Sequence, residues 1–284
     1  GGILRAGEQL HTTPQTLSGQ IKLLEGRLGR KLFRKSGRQL ELTDDGRLAL
    51  GYADRIFALG AELEATLSQP LSGPRVLDFR VGVADSVAKS VAYRLLEPAM
   101  DLAVPVRMIG TEGKFSELLA QLALHRLDLV IADEPLTRRI SVKAYNHPLG
   151  TSRMSFFCAP ALRGQLQGAF PQCLHGAPML IQGAASPVRQ ELDAWLGRRG
   201  IQPRIVGEFD DGALMTAFGR QGRGVFMWPS VLEAETVALY GVEVIGRGDE
   251  ELVEEFYAVS VERRIKHPAV AAITQAARGR LFQA

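Results

Sequence analysis

The sequence predicts an α/β protein in three parts: a winged helix-turn-helix head, a long linker helix, and a two-lobed body with parallel-rich sheets. Three observations lead there. Residues 6–42 hold a dense run of helix signals with a basic tail. One apolar stripe then continues at helical spacing well past the length of an ordinary surface helix. Beyond a Pro/Gly-rich break, short apolar runs alternate with amphipathic helical patterns, as in sheets covered by helices on both faces.

In the first part, Thr13 is a good N-cap, and Pro14 suits a first helical turn, where its missing N–H would have no intrahelical partner. Leu17, Ile21, Leu24 and Leu28 recur at helical spacing and predict a buried stripe that Gly29 ends. Gln15, Thr16, Ser18, Gly19 and Lys22 fall away from that stripe. Ser36-Gly37 makes a turn between two short extended pieces, 31–35 and 39–42, which form the wing. Thr43 caps the next helix, with Asp44 and Asp45 in its first turn, where negative charge is favoured. Its stripe of Leu48, Tyr52, Ile56, Leu59, Leu63 and Leu67 continues for about six turns. A seam against a second copy, in a homodimer or tetramer, explains that length better than packing on the wing. Residues 68–74, SQPLSGP, read as a linker.

The body then alternates. Strand-like runs lie at 77–83, 104–109, 127–132, 154–159, 178–181, 204–209, 224–228, 242–245 and 255–261. Helical patterns lie at 87–100, 115–126, 187–199, 212–220 and 267–281. The boundaries that follow are 1–43 for the winged helix-turn-helix head, 44–75 for the linker and dimerisation helix with its hinge, and 76–284 for the two-lobed body. Within the last, lobe I takes 76–149 with 255–284, and lobe II takes 150–254.

Composition narrows the function. With 46% hydrophobic and 23% charged residues, the 284-residue chain is globular, and no apolar run approaches the ~20 residues of a membrane span. No secretory signal opens it, so a cytoplasmic location is expected. The net charge of +3 hides an asymmetry: residues 1–40 carry eight Lys/Arg against Glu8 and Glu25, a net +6 that leaves −3 on the remainder. A basic head on a slightly acidic body suits a protein whose head meets a polyanion. Cys158 and Cys173 form no CxxC, and the five histidines form no motif. GxSxG, HExxH and phosphate-loop patterns are missing, so an enzyme or a two-lobed solute-binding protein ranks below a regulator.

The residues Ala6, Leu10, Thr13, Leu17-Ser18, Ile21, Leu24-Glu25, Leu28-Gly29 and Leu32-Phe33, continued by Arg38, Leu42-Thr43 and Gly46, resemble the LysR-type transcriptional regulators. The resemblance covers the whole chain and implies a two-lobed, periplasmic-binding-protein-like effector domain. It further implies double-stranded promoter DNA and a second copy of the chain as partners, with RNA polymerase as a further one, and no cofactor. Set against that family, the chain is expected to lack the first helix of its DNA-binding domain. Within the family it looks most like the activators of sodium/proton antiporter genes, through TPQT (13–16), KLFRKSGR (31–38), VGVADS (81–86), GEFDDGALMTAFG (207–219) and RRIKHPAV (263–270). Many members carry Gln where Pro14 stands, Arg where Gly19 stands and Arg where Lys35 stands.

Two sites follow. For DNA, the expected contacts are Pro14, Gln15, Thr16, Ser18 and Gln20 on the helix, with Arg34, Lys35 and Arg38 on the wing. Gln15 can offer a donor and an acceptor to an adenine edge, whereas the wing cations suit phosphates or the minor groove. For the effector, the residues that follow the strands are Asp85-Ser86, Thr111-Glu112, Asp133-Glu134, Ser186 and Asp210-Asp211. Carboxylates dominate, and hard oxygen donors suit cations. The acidic rim points the same way as the resemblance to activators of antiporter genes, which implies Na⁺ or Li⁺ as the effector, with a small organic molecule as the alternative. Each carboxylate taken singly also fits a helix cap or a turn.

Overall fold

The computed structural model describes residues 2–36, 39–68, 76–137, 143–184, 186–263 and 267–282. The chain divides into two units, Gly1–Gly73 and Pro74–Ala284. Arg38, and the linker of 68–74 from residue 69 onward, lie outside the described residues.

In the first unit α1 (Ile3–Gln9) packs on α2 (Pro14–Leu28). The turn between them places His11 at φ 48°. It also brings Thr12 so close that a Cβ on Gly7 would stand 2.8 Å from the Thr12 carbonyl oxygen. Thr13 caps α2 as expected: its Oγ1 accepts from the Thr16 amide at 3.2 Å. Gly29, at φ 64°, ends the helix in the left-handed conformation that glycine adopts without a steric penalty. The buried stripe is only half present. Leu17 and Ile21 are half-buried, whereas Leu24 and Leu28 are exposed. In the second half of α2 the buried position belongs instead to Glu25, which is 7% exposed and tied down by polar bonds.

Strands β1 (Phe33–Ser36) and β2 (Gln39–Leu42) form the antiparallel wing, with Phe33 opposite Leu42. Helix α3 (Asp44–Ser68) starts hard against it. A Cβ on Gly46 would lie 2.0 Å from the Leu32 carbonyl oxygen. Thr43 completes the junction: its Oγ1 donates to the Lys31 carbonyl at 2.6 Å and accepts from the Gly46 amide at 2.9 Å. Along α3 the seam residues Leu48, Tyr52, Ile56 and Leu63 are all exposed, and the side chain of Leu59 lies outside the described residues.

The second unit runs β3 (Leu77–Ala84), α4 (Lys89–Leu96), β4 (Val106–Gly113), α5 (Phe115–Ala123), β5 (Leu129–Ala132) and β6 (Tyr145–Cys158). It continues with α6 (Pro160–Arg163), β7 (Pro178–Gln182), α7 (Pro187–Arg198), β8 (Arg204–Phe209), α8 (Gly212–Arg220) and β9 (Phe226–Pro229). Helix α9 (Glu233–Tyr240), β10 (Glu243–Arg247), β11 (Val253–Ser260) and α10 (Pro268–Ala276) complete it, and a π turn spans Ala277–Leu281.

The larger sheet has the order β10-β6-β11-β5-β3-β4, with β9 also on β6. Pairing is parallel between β3 and β4, β3 and β5, and β7 and β8. Two antiparallel strands interrupt it: β11 lies between β5 and β6, and β6 takes β9 and β10 on its C-terminal half. Strand β6 is much longer than the 154–159 expected. Its first half carries Asn146, His147, Pro148 and Gly150, which erase the apolar alternation, yet its ladder with β11 holds that half extended.

Two cores result. One gathers β3, β5, α4, α5, β11 and α10 around Phe79, Leu95, Leu119, Ile131 and Phe256. The other gathers the C-terminal half of β6 with β7 and α7 around Phe156, Ile181 and Trp195. Strand β6 contributes to both, through Leu149 and Phe157 to the first and through Met154 and Phe156 to the second.

Candidate nucleic-acid interface and effector cleft

The head presents one polar face. At 100° per residue, Gln15, Gly19 and Lys22 follow at i, i+4 and i+7 and share the outward side of α2, and all three are exposed. Thr16 and Gln20 are exposed on its flank, whereas Pro14 and Ser18 are half-buried. The Thr16 hydroxyl is already engaged, lying 2.9 Å from Thr13 Oγ1. Lys22 is not among the contacts expected from the sequence, although its i+7 relation to Gln15 marks it for this face. Gly19 leaves the middle of the face open, with no atom within 4 Å of the Cβ it lacks.

On the wing, Arg34 donates through Nε and Nη2 to Glu41 Oε2 at 3.3 and 3.2 Å, across the register pair that β1 and β2 form. Lys35 is exposed beside it. The wing is held to the helix by Glu25. Its carboxylate accepts from the Leu32 and Phe33 amides at 2.8 and 3.2 Å and from Lys31 Nζ at 2.8 Å. The lysine bond, followed by the backbone bonds, keeps the Glu25 carboxyl below its ordinary range. This role of Glu25 was not foreseen. A carboxylate four residues after Ile21, on the apolar side, was the available signal.

In the second unit a cleft of ≈ 390 Å³ opens between the ends of β3, β5, β7 and β8. Of the residues that follow the strands, Asp85, Ser86, Glu134, Ser186 and Asp210 line it. Lys114, Phe115 and Ser116, at the start of α5, and Gln182 and Phe209 from the other side were not foreseen. Asp210 reaches the cleft across Gly183, where a Cβ would stand 2.0 Å from its Oδ1. Asp211 caps α8, accepting from the Leu214 amide at 2.6 Å, and lines a smaller adjoining cavity of ≈ 50 Å³.

Thr111 and Glu112 do not belong to the cleft lining. They were expected to follow a strand ending at residue 109. Strand β4 instead runs on in register with β3, pairing Gly82 with Thr111 and Val83 with Glu112. Glu112 is bonded to Lys89.

Asp133 lies behind the rim rather than on it. It is 5% exposed; its Oδ1 accepts from Ser86 Oγ at 2.6 Å, and its Oδ2 is buried without a hydrogen-bond partner. Burial pushes its carboxyl up, against the Ser86 bond, and the nearby Asp85 charge adds to the rise. Glu254 on β11 is also 5% exposed. Burial raises its carboxyl well above the ordinary range, with the Asp133 charge as the second cause. Glu134 is raised for the same two reasons. Among the described residues, no three His, Cys, Asp or Glu side chains converge closely enough to hold a metal ion.

Comparison with known proteins agrees with both halves. Residues 1–47 match the model of the bacterial regulatory helix-turn-helix protein, lysR family, and residues 74–281 match the LysR substrate binding domain. The transcriptional activator protein NhaR of Escherichia coli (strain K12) is 35% identical over 282 residues, covering 99% of this chain and 92% of NhaR. The activator IlvY of Salmonella typhimurium is 26% identical, covering 94% of this chain and 90% of IlvY. Among solved structures, ArgP from Mycobacterium tuberculosis superposes with a TM-score of 0.67 at 21% identity, covering 99% of this chain and 93% of that one. Full-length CbnR complexed with its target DNA superposes with a TM-score of 0.57 at 17% identity, covering 98% and 94%. Among the described residues no helix is long and apolar enough to cross a membrane.

Proposed function

The chain belongs to the LysR family of bacterial regulators, and on that premise we propose that it is a promoter-binding transcriptional activator switched by a small cation. Paired heads, joined along the exposed seam of α3, lay α2 in the major groove and the wing on the backbone. The effector enters the cleft of the second unit, shifts its lobes, and through them changes how the heads and RNA polymerase meet in the cytoplasm. The observation that carries the cation reading is the lining itself: among its described residues Asp85, Glu134 and Asp210 face one cleft against one cation, Lys114. Na⁺ or Li⁺ is the proposed effector, acting without any cofactor.

Promoter footprints and in vitro transcription, run in Na⁺, Li⁺ and K⁺ at matched ionic strength, test this. Na⁺ and Li⁺ are expected to alter the protected pattern and raise transcription, and K⁺ to do neither. Identical patterns in the three salts reject the cation. On the DNA side, Gln15→Ala is expected to lose about 1–3 kcal/mol of discrimination between operator and mismatched sites. Arg34→Ala should weaken all sequences alike. Equal loss of discrimination from both would contradict that division of roles.

A second reading, a small organic cation, is favoured by the ≈ 390 Å³ of the cleft, more than a bare ion fills, and by its aromatic walls Phe115 and Phe209. A thermal-shift screen of organic amines against the whole chain distinguishes it from the ion.

A further inference from the structure

We propose that the cation is held below the cleft rather than in its mouth, between Asp133 and Glu254, with the Ser86 hydroxyl beside them. The inference rests on the cation reading above and assigns that reading a site. Three observations carry it.

The first is the orphaned oxygen. Asp133 is buried, its Oδ1 is satisfied by Ser86 at 2.6 Å, and its Oδ2 has no hydrogen-bond partner. A buried acceptor without a partner is costly, and native structures rarely leave one without a role. The second is the absence of compensating charge. Glu254 is as buried as Asp133, and the register that sets Tyr257 opposite Ala132 runs this stretch of β11 beside Asp133, whose charge acts on Glu254. No Lys or Arg among the described ion pairs is bonded to either. Arg94 and Arg153 are committed elsewhere, to Glu235 and to Glu250. With no counter-ion, burial drives both carboxyls toward the neutral form, and a small hard cation with oxygen ligands would favour their ionised form instead.

The third is location. Ser86 lines the cleft and is bonded to Asp133, so the buried carboxyl is one hydrogen bond away from the cleft lining. Asp133 follows β5, whereas Glu254 lies on β11 opposite Ser152 of β6, where the two long antiparallel strands pass from one core to the other. An ion bridging these residues therefore ties the end of the parallel sheet to the crossing strands. That is where a change of lobe angle would originate. With only two carboxylates the site suits a monovalent ion. A divalent ion normally collects more charged oxygens than the described residues bring together.

The test uses the whole chain and reads its thermal midpoint in NaCl, LiCl, KCl and choline chloride at matched ionic strength. The wild type is expected to melt higher in Na⁺ or Li⁺ than in K⁺ or choline. Glu254→Gln and Asp133→Asn keep the shape of each side chain while removing its ability to ionise. Both are expected to fold and to melt close to the wild type in choline, where burial already favours the neutral carboxyls. In each variant the midpoint concentration for the Na⁺ effect should rise about tenfold or more. Should the wild type favour Na⁺ and both variants favour it equally, the cation reading survives and the buried site is overturned. A wild type that melts alike in all four salts overturns the cation reading, and this site with it.

Discussion

Replacing Gly19 by arginine should strengthen both the head and its hold on DNA, and the two gains are separable. Gly19 lies inside α2, is exposed, and has nothing within 4 Å of the Cβ it lacks. Glycine in a helix interior costs about 1 kcal/mol relative to a good helix former, and arginine is one, so stability should rise by about that amount. The new guanidinium would stand between Gln15 and Lys22 on the outward face of the helix. If that face meets DNA, one added phosphate contact per head steepens the dependence of log affinity on log salt by about 0.9. A fourfold dilution of salt then gains the variant about three- to fourfold more affinity than it gains the wild type, per contact. Urea denaturation measures the first effect, and fluorescence anisotropy with a labelled promoter over a salt series measures the second. A stabilised protein with an unchanged salt slope would show that this face does not look at DNA. A destabilised protein would show that the space around Gly19 is not open.

Gly46→Ala acts in the opposite direction. Its Cβ would fall 2.0 Å from a backbone oxygen that cannot rotate away, so the wing or α3 must shift, at a cost of about 1–3 kcal/mol, read as a lower urea midpoint. Glu25 makes the head acid-sensitive. Its carboxyl is lowered in the folded state, so its contribution is fully present above the unfolded glutamate value and is lost as pH falls through the lowered one. Glu25→Gln should therefore flatten the acid limb of head stability, monitored by urea titrations at several pH values, and an unchanged limb would remove Glu25 from that role.

Capping and turn chemistry were the most legible parts of the chain. Thr13-Pro14 and Gly29 bracket α2 as the local rules require, because those rules depend on groups within a few residues of one another. What depended on distant partners was misread. Leu24 and Leu28 follow the helical period but are exposed, since period alone does not supply a surface to pack on. Thr111 and Glu112 looked like the end of a strand because polarity begins there, yet eight register pairs with β3 carry β4 through them. The cleft was half legible: residues following strands were found by topology. Lys114 and Phe209 come from positions with no distinctive spacing. Glu254 was invisible for a further reason. A glutamate inside an acidic strand, next to Glu255, reads as solvent-facing until the third dimension buries it.

The two long strands that cross between the cores set how the second unit can respond to anything bound in it. Because β6 and β11 are laddered to each other along eight residue pairs, and β6 feeds both cores, neither lobe can melt without stripping hydrogen bonds from the other. The unit should unfold in one transition, and its working motion is a flexure of a shared ribbon rather than the swing of two bodies on a loose tether. A flexure of that kind keeps both hydrophobic interiors closed, because the strand that bends is part of each.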